Sequence, residues 1–124
     1  MSNVKPKMDH SERAARDLLN RKVREGIIDR RNASQVLKVG LPFVRTMLAE
    51  WRRDGTSPEW ITGKFQSIRA EAVEKHEAET NPLIKRMALT RVVCAEMYLA
   101  VWAGMQADLG QYTADRRSGR ELDT

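Results

Sequence analysis

The chain has one cysteine, Cys94, which excludes an intramolecular disulfide and any zinc site built on several thiolates. Glycine is scarce, at seven residues, and proline scarcer, at four. With so few breakers and no stretch of apolar–polar alternation, strands are not expected, and helices should fill nearly the whole length. No Gly-rich phosphate loop, nucleophile elbow or paired Cys/His arrangement is present. The only histidines, His10 and His76, show neither Glu-x-x-His nor His-x-x-x-His spacing, so no helical face offers two metal ligands. No enzymatic activity, cofactor or metal is therefore expected. The longest apolar run, Val92 to Met105, is broken only by Glu96 and falls short of the roughly 20 residues a bilayer span takes. Met1 to Met8 is polar and lacks the apolar centre of a secretory leader. A cytoplasmic protein without membrane contact is the expectation.

What the chain does have is charge, unevenly placed. Hydrophobic residues make up 41% and charged residues 31%, a balance that suits one globular domain. The net charge is +5. Residues 1–53 hold 13 Lys/Arg against 6 Asp/Glu, and residues 54–124 hold 9 against 11, so the halves carry +7 and −2. A polyanion or an acidic protein surface is the natural counterpart of such an N-terminal half.

Periodicity and caps divide the chain into about five helices in an all-α domain spanning 9–109, between a basic leader, 1–8, and a polar, mobile tail, 110–124. Asp9 and Glu12 have capping-box spacing, and Ala14, Ala15, Leu18, Leu19 and Val23 follow at helical intervals up to Gly26. After Ile27 and Ile28, either Asp29 or Asn32 caps a second helix, from about Arg30 to Val39. Gly40 permits a turn, and Pro42 suits the first position of a third helix with Val44, Met47, Leu48 and Trp51 on one stripe. Phe43 falls off that stripe. Ser57-Pro58 opens a fourth helix, 58–80, with Ile61, Phe65, Ile68 and Ala72 as its seam and an acidic end at Glu71, Glu74, Glu77 and Glu79. Asn81-Pro82 opens a long buried helix, 82–109. Ala95, Ala100, Ala103, Gly104 and Ala107 along it would let a second copy approach, so a homodimer through 82–109 is expected.

Several residues of 33–55 resemble the helix-turn-helix superfamily. Gly40-Leu41-Pro42 is similar to that superfamily's Gly-hydrophobic-Ser/Pro turn, and Val44, Leu48, Trp51 and Gly55 resemble a recognition helix closing at a glycine. The resemblance implies a unit over 30–54 that binds double-stranded DNA with helix 42–53, in a regulator or accessory factor of phage or plasmid type. On that reading Arg30, Arg31 and Lys38 contact phosphates, while Arg45, Thr46, Ala49, Arg52 and Arg53 reach the groove. The alternative is a small helical inhibitor or adaptor of mobile-element origin, similar to anti-CRISPR proteins, that binds a host nucleic-acid-handling complex without catalysis.

Three other features carry structural expectations. Trp51, Trp60 and Trp102 lie on apolar faces and should pack in the core. Cys94 should be a small buried hydrophobe. Glu96, the lone charge of its run, needs a partner, with Arg91 and Arg69 the candidates.

Overall fold

In the computed structural model, residues 9–122 are described, with side chains through Asp108. Four helices follow in order: α1 (His10–Arg24), α2 (Arg30–Arg53), α3 (Pro58–Ala78) and α4 (Pro82–Leu122). No strand occurs among the described residues. The 1–8 leader lies outside them.

The starts follow the sequence closely. Side-chain oxygens of Asp9, Asp29 and Ser57 accept from the amides of Glu12, Asn32 and Trp60, each satisfying a donor the first turn leaves free. Asn81 does the same for Leu83, at 3.0 Å. Two stops depend on glycine. Gly26 and Gly55 have φ of 74° and 76°, and the amides after them, of Ile27 and Thr56, reach back to the carbonyls of Lys22 and Trp51. That six-to-one closure needs a left-handed residue, which glycine adopts without a Cβ clash.

The expected turn at Gly40-Leu41-Pro42 does not exist: α2 is one continuous helix with Pro42 inside it. The two shorter helices expected over 30–39 and 42–53 are therefore one, and the count falls from five to four. The reason is phase. Ala33, Leu37, Gly40, Val44, Leu48 and Trp51 recur at three- and four-residue steps straight through the supposed turn, so one helix keeps all of them on the core side. A proline inside a helix costs about 3 kcal/mol. Burying Leu41, Val44 and Leu48 offsets that, at about 1.5–3 kcal/mol per side chain. The residues also leave no room for a turn, since Val44 lies only four positions after Gly40.

Around α4 the other three helices pack directly. His10 pairs with Asp108 and Lys22 with Glu96, so α1 runs antiparallel to α4. The pairs Thr62–Trp102 and Arg69–Glu96 set α3 antiparallel to it as well. Arg45 meets Asp9 at the start of α1, which makes α2 antiparallel to α1 and parallel to α4. The core draws on all four: Ala15 and Leu19, Leu41, Val44 and Leu48, Ile61 and Phe65, then Val93, Met97, Val101 and Trp102.

The long last helix departs from expectation twice. It continues to Leu122, past the end expected at Leu109 and through residues read as tail. Its segment Pro82–Asp108, 27 residues, is long and apolar enough to cross a membrane by length and composition. The apolar segment therefore starts before Val92 and takes in Leu83, Ile84, Met87 and Leu89. Val93, Met97 and Val101 of this run are fully buried among the other helices, whereas Leu83, Ile84 and Met87 at its start are exposed.

One contact sets how close α1 can come. A Cβ built on Gly104 would stand 2.6 Å from the His10 carbonyl oxygen and 2.7 Å from Ser11 Cα, both backbone atoms that cannot swing aside. Gly63, by contrast, faces open space inside α3. Gly104→Ala should therefore lower the unfolding free energy by about 1–3 kcal/mol in urea titrations. Gly63→Ala should raise it by about 0.5–1 kcal/mol through helix propensity. Pro42→Ala supplies the missing amide donor and should increase both stability and helical circular dichroism, whereas a proline opening a separate helix would gain nothing from that change.

Candidate nucleic-acid interface

Several of the cations of α2 fall on one edge of that helix. At 100° per residue, Arg31, Lys38, Ala49 and Arg53 share an outward arc of α2, and all four are exposed. Arg45 and Arg52 lie on the side of that arc nearer α1. Val39 and Phe43 lie on the other side, towards α3. The helix thus has a buried stripe, a cationic edge and an apolar edge, each at its own phase.

Between α1 and α2 a shallow groove is lined by Arg16 and Arg24 from α1 and by Arg30 from α2, with Asn20 and Ser34 between them. Its floor is apolar, formed by Leu19, Val23, Ala33 and Leu37, and no carboxylate lines it. Arg16 reaches Glu12 only at 3.8 Å, on the surface, a distance and exposure that contribute little. Among the described residues, Arg24, Arg30, Arg31, Lys38 and Arg53 take part in none of the ion pairs. These side chains are free to meet an anion.

The eight residues singled out in the sequence do not form one reading surface. Arg30, Arg31 and Lys38 lie at or beside the groove. Arg53 and Ala49 lie on the same exposed arc, farther along α2. Thr46 is exposed, but its hydroxyl donates to the Pro42 carbonyl at 3.0 Å, inside its own helix. The Arg52 guanidinium stands 4.0 Å from the Met105 sulfur. Arg45 is already engaged, donating to both Asp9 carboxylate oxygens, at 3.0 and 3.1 Å, and to the Ser11 hydroxyl at 3.3 Å. Arg16 and Arg24 were missed, although their spacing of eight puts both on one face of α1.

Asp9 is the polar hub of this end. Burial pulls its carboxyl upward, but the Glu12 amide, the Ser11 hydroxyl and the Arg45 guanidinium outweigh it and hold the group below its usual value of 3.8. One carboxylate thus caps α1, satisfies the buried Ser11 and ties α1 to α2. Glu96 has a parallel role farther along α4, with Lys22 at 3.6 Å and Arg69 at 3.7 Å, so it bridges α1 and α3. Arg69 is one of the two partners the sequence suggested, Lys22 was not foreseen, and Arg91 is not involved.

Groups with latent chemistry are occupied or muted. Burial raises the Cys94 thiol above its ordinary range, and burial also raises the adjacent Tyr98 phenol. Neither is an activated nucleophile or base. Trp102 is buried and donates from Nε1 to Thr62 Oγ1 at 2.8 Å. Trp51 is half-buried, with Trp60 set edge-on at 5.2 Å and 84°. Trp60 itself is half exposed, contrary to the expected core position. Among the described residues no group of His, Cys, Asp and Glu side chains could hold a metal ion.

Because Asp9 is held below its unfolded value, its contribution is complete above about pH 5 and disappears as acid protonates it through the lower folded value. Stability measured from pH 7 to pH 2 should fall more steeply for the natural protein than for Asp9→Asn, with the two curves converging at the acid end. Asp9→Ala also removes the cap and should cost about 1 kcal/mol at neutral pH. No family model, curated protein or solved structure matches this chain, so no relative's chemistry bears on what these surfaces do.

Proposed function

We propose that this chain is a non-catalytic double-stranded DNA-binding protein that grips the phosphate backbone with the edge formed by α1 and α2. The observation that carries this reading is the groove lined by Arg16, Arg24 and Arg30, with two neutral hydrogen-bonding side chains and no carboxylate. Neighbouring Arg31 and Lys38 extend the same positive surface.

The spacing of the cations suits a backbone rather than a small anion. Arg16 and Arg24 are separated by eight residues of α1, about 12 Å, and Arg30 and Lys38 by the same distance on α2. The two rows run side by side, roughly one helix-packing distance of 8–10 Å apart. Four charges in that frame reach several separate phosphates, not a single ion. Arginine also binds phosphate through two parallel N–H donors, which suits three of the four positions.

The mode differs from the one the sequence suggested. Without a turn in α2 there is no separate recognition helix to enter a groove, and Arg45 is committed to Asp9. Contacts of this kind position a protein on a duplex and carry little base information. The reading is therefore of a binder with weak sequence preference and strong salt dependence.

Titration against random duplex DNA at several salt concentrations tests it directly. Engagement of four phosphates gives a log–log slope near −3.6, at about −0.9 per phosphate. The double variant Arg24→Ala/Arg30→Ala should bind more weakly and lose about 2 from the magnitude of that slope, with its circular dichroism unchanged. Absence of binding at low salt, or an unchanged slope in the variant, would remove this function from the α1–α2 edge.

A further inference from the structure

Opposite the cationic edge, α2 and α3 meet near their shared loop and then separate. They join where Trp51 touches Trp60 and Phe65, with ring centroids 5.2 and 5.5 Å apart. Phe65 in turn reaches Tyr98 on α4, at 5.9 Å. Beyond this aromatic closure the two helices have little direct contact, and a stripe of α4 forms the floor between them. That stripe is Ile84, Met87, Arg91, Cys94 and Tyr98, at alternating steps of three and four residues. Such spacing is the seam along which helices pair.

The apolar part of this face is open. Val39 and Phe43 on the α2 side are 59% and 57% exposed, and Met87 and Ile84 on the floor are 59% and 48% exposed. Phe43 leans on Tyr98, with centroids 6.3 Å apart, and so joins the α2 ridge to the α4 floor. Exposed apolar residues aligned along one stripe mark an interaction site more often than scattered ones do.

We infer that this face seats a second copy of the same chain. Self-association through a two-fold axis requires one surface to carry both a feature and its complement. This one does, having a ridge, Val39 and Phe43, that meets the α4 stripe at Tyr98, and farther along the stripe a hollow lined by Ile84, Met87 and Arg91. The charges match in the same way. The hollows beside the floor are lined by Lys75 and Arg91 together with Glu71 and Glu79, two cations and two carboxylates. Lys75 is held by Glu71 at 3.2 Å, and among the described residues no carboxylate lies within ion-pair distance of Arg91. The acidic rim of α3 in a second copy supplies Arg91 with a partner, and that copy's ridge fills the hollow. A polyanion, which the α1–α2 edge attracts, gains nothing on this neutral face. The inference does not rest on DNA binding.

Sedimentation equilibrium of the full chain, from about 1 μM to about 200 μM, tests the assignment in a range typical of self-association. The expected result is a rise from the 14.2 kDa of one chain to twice that mass. Phe43→Glu and Met87→Glu, both at exposed positions, should each weaken dimerisation by about thirtyfold or more while helical circular dichroism stays the same. Arg31→Glu, on the cationic edge, should leave dimerisation unchanged. The sole cysteine gives an independent readout, since Cys94 lies on the floor, and its reaction with a thiol reagent should speed up on dilution in step with dissociation. A single-chain mass at every concentration overturns the inference. So does a dimer insensitive to both substitutions, or a Cys94 rate independent of concentration.

Discussion

The close approach of α1 to α4 at Gly104 is the constraint on which the rest of the bundle depends. With hydrogen in place of a side chain at that position, the backbone of His10 and Ser11 can lie directly on α4. This fixes the start of α1, and with it Asp9, whose carboxylate then meets Arg45 and holds α2 in place. Farther along the same pair of helices, Lys22 comes within reach of Glu96, which also holds Arg69 of α3. A single small residue thus sets the distance at which two polar hubs, joining all four helices, can form. Apolar burial supplies most of the stability. The polar ties define which helix lies beside which.

This arrangement leaves two edges of α2 with opposite character. On the α1 side, arginines from both helices frame a groove whose floor is closed by Leu19, Val23, Ala33 and Leu37. On the α3 side, the splay of the helices exposes Val39 and Phe43 above the α4 stripe. One helix therefore divides a cationic surface from an apolar one, with its third face in the core. The division follows from phase, because the cationic arc around Arg31, Lys38 and Arg53 and the apolar pair Val39 and Phe43 flank opposite sides of the helix's exposed face. The electrostatic and hydrophobic properties of the protein are separated by the pitch of α2.

Much of the fold was legible in the sequence, for local reasons. The caps at Asp9, Asp29, Ser57 and Asn81 and the stops at Gly26 and Gly55 act within a few residues, so a short window contains their whole cause. The all-helical class followed from periodicity. The turn at Gly40-Leu41-Pro42 was misread because glycine and proline are strong local punctuation, and the continuous core phase on either side is a signal only over twenty residues. Gly40 has a tertiary explanation, being set against Met97, Cys94 and Tyr98 at the crossing with α4. The end of α4 was misplaced for a similar reason, since a change from apolar to polar residues marks the loss of neighbours and not the end of a helix.

By itself, then, the sequence determined the class, the helix starts, the uneven charge and the outward position of Phe43, all of them consequences of interactions within one helix or one turn. Only the tertiary structure decided which charges remain free. Arg45 looked available, and Asp9, 36 residues earlier, takes it; Arg16 and Arg24 drew no notice, and the antiparallel pairing of α1 with α2 sets them beside Arg30. The physical reason is range. Capping and periodicity are fixed by neighbours in the chain, whereas the availability of a charge or an apolar face depends on which distant helix packs beside it.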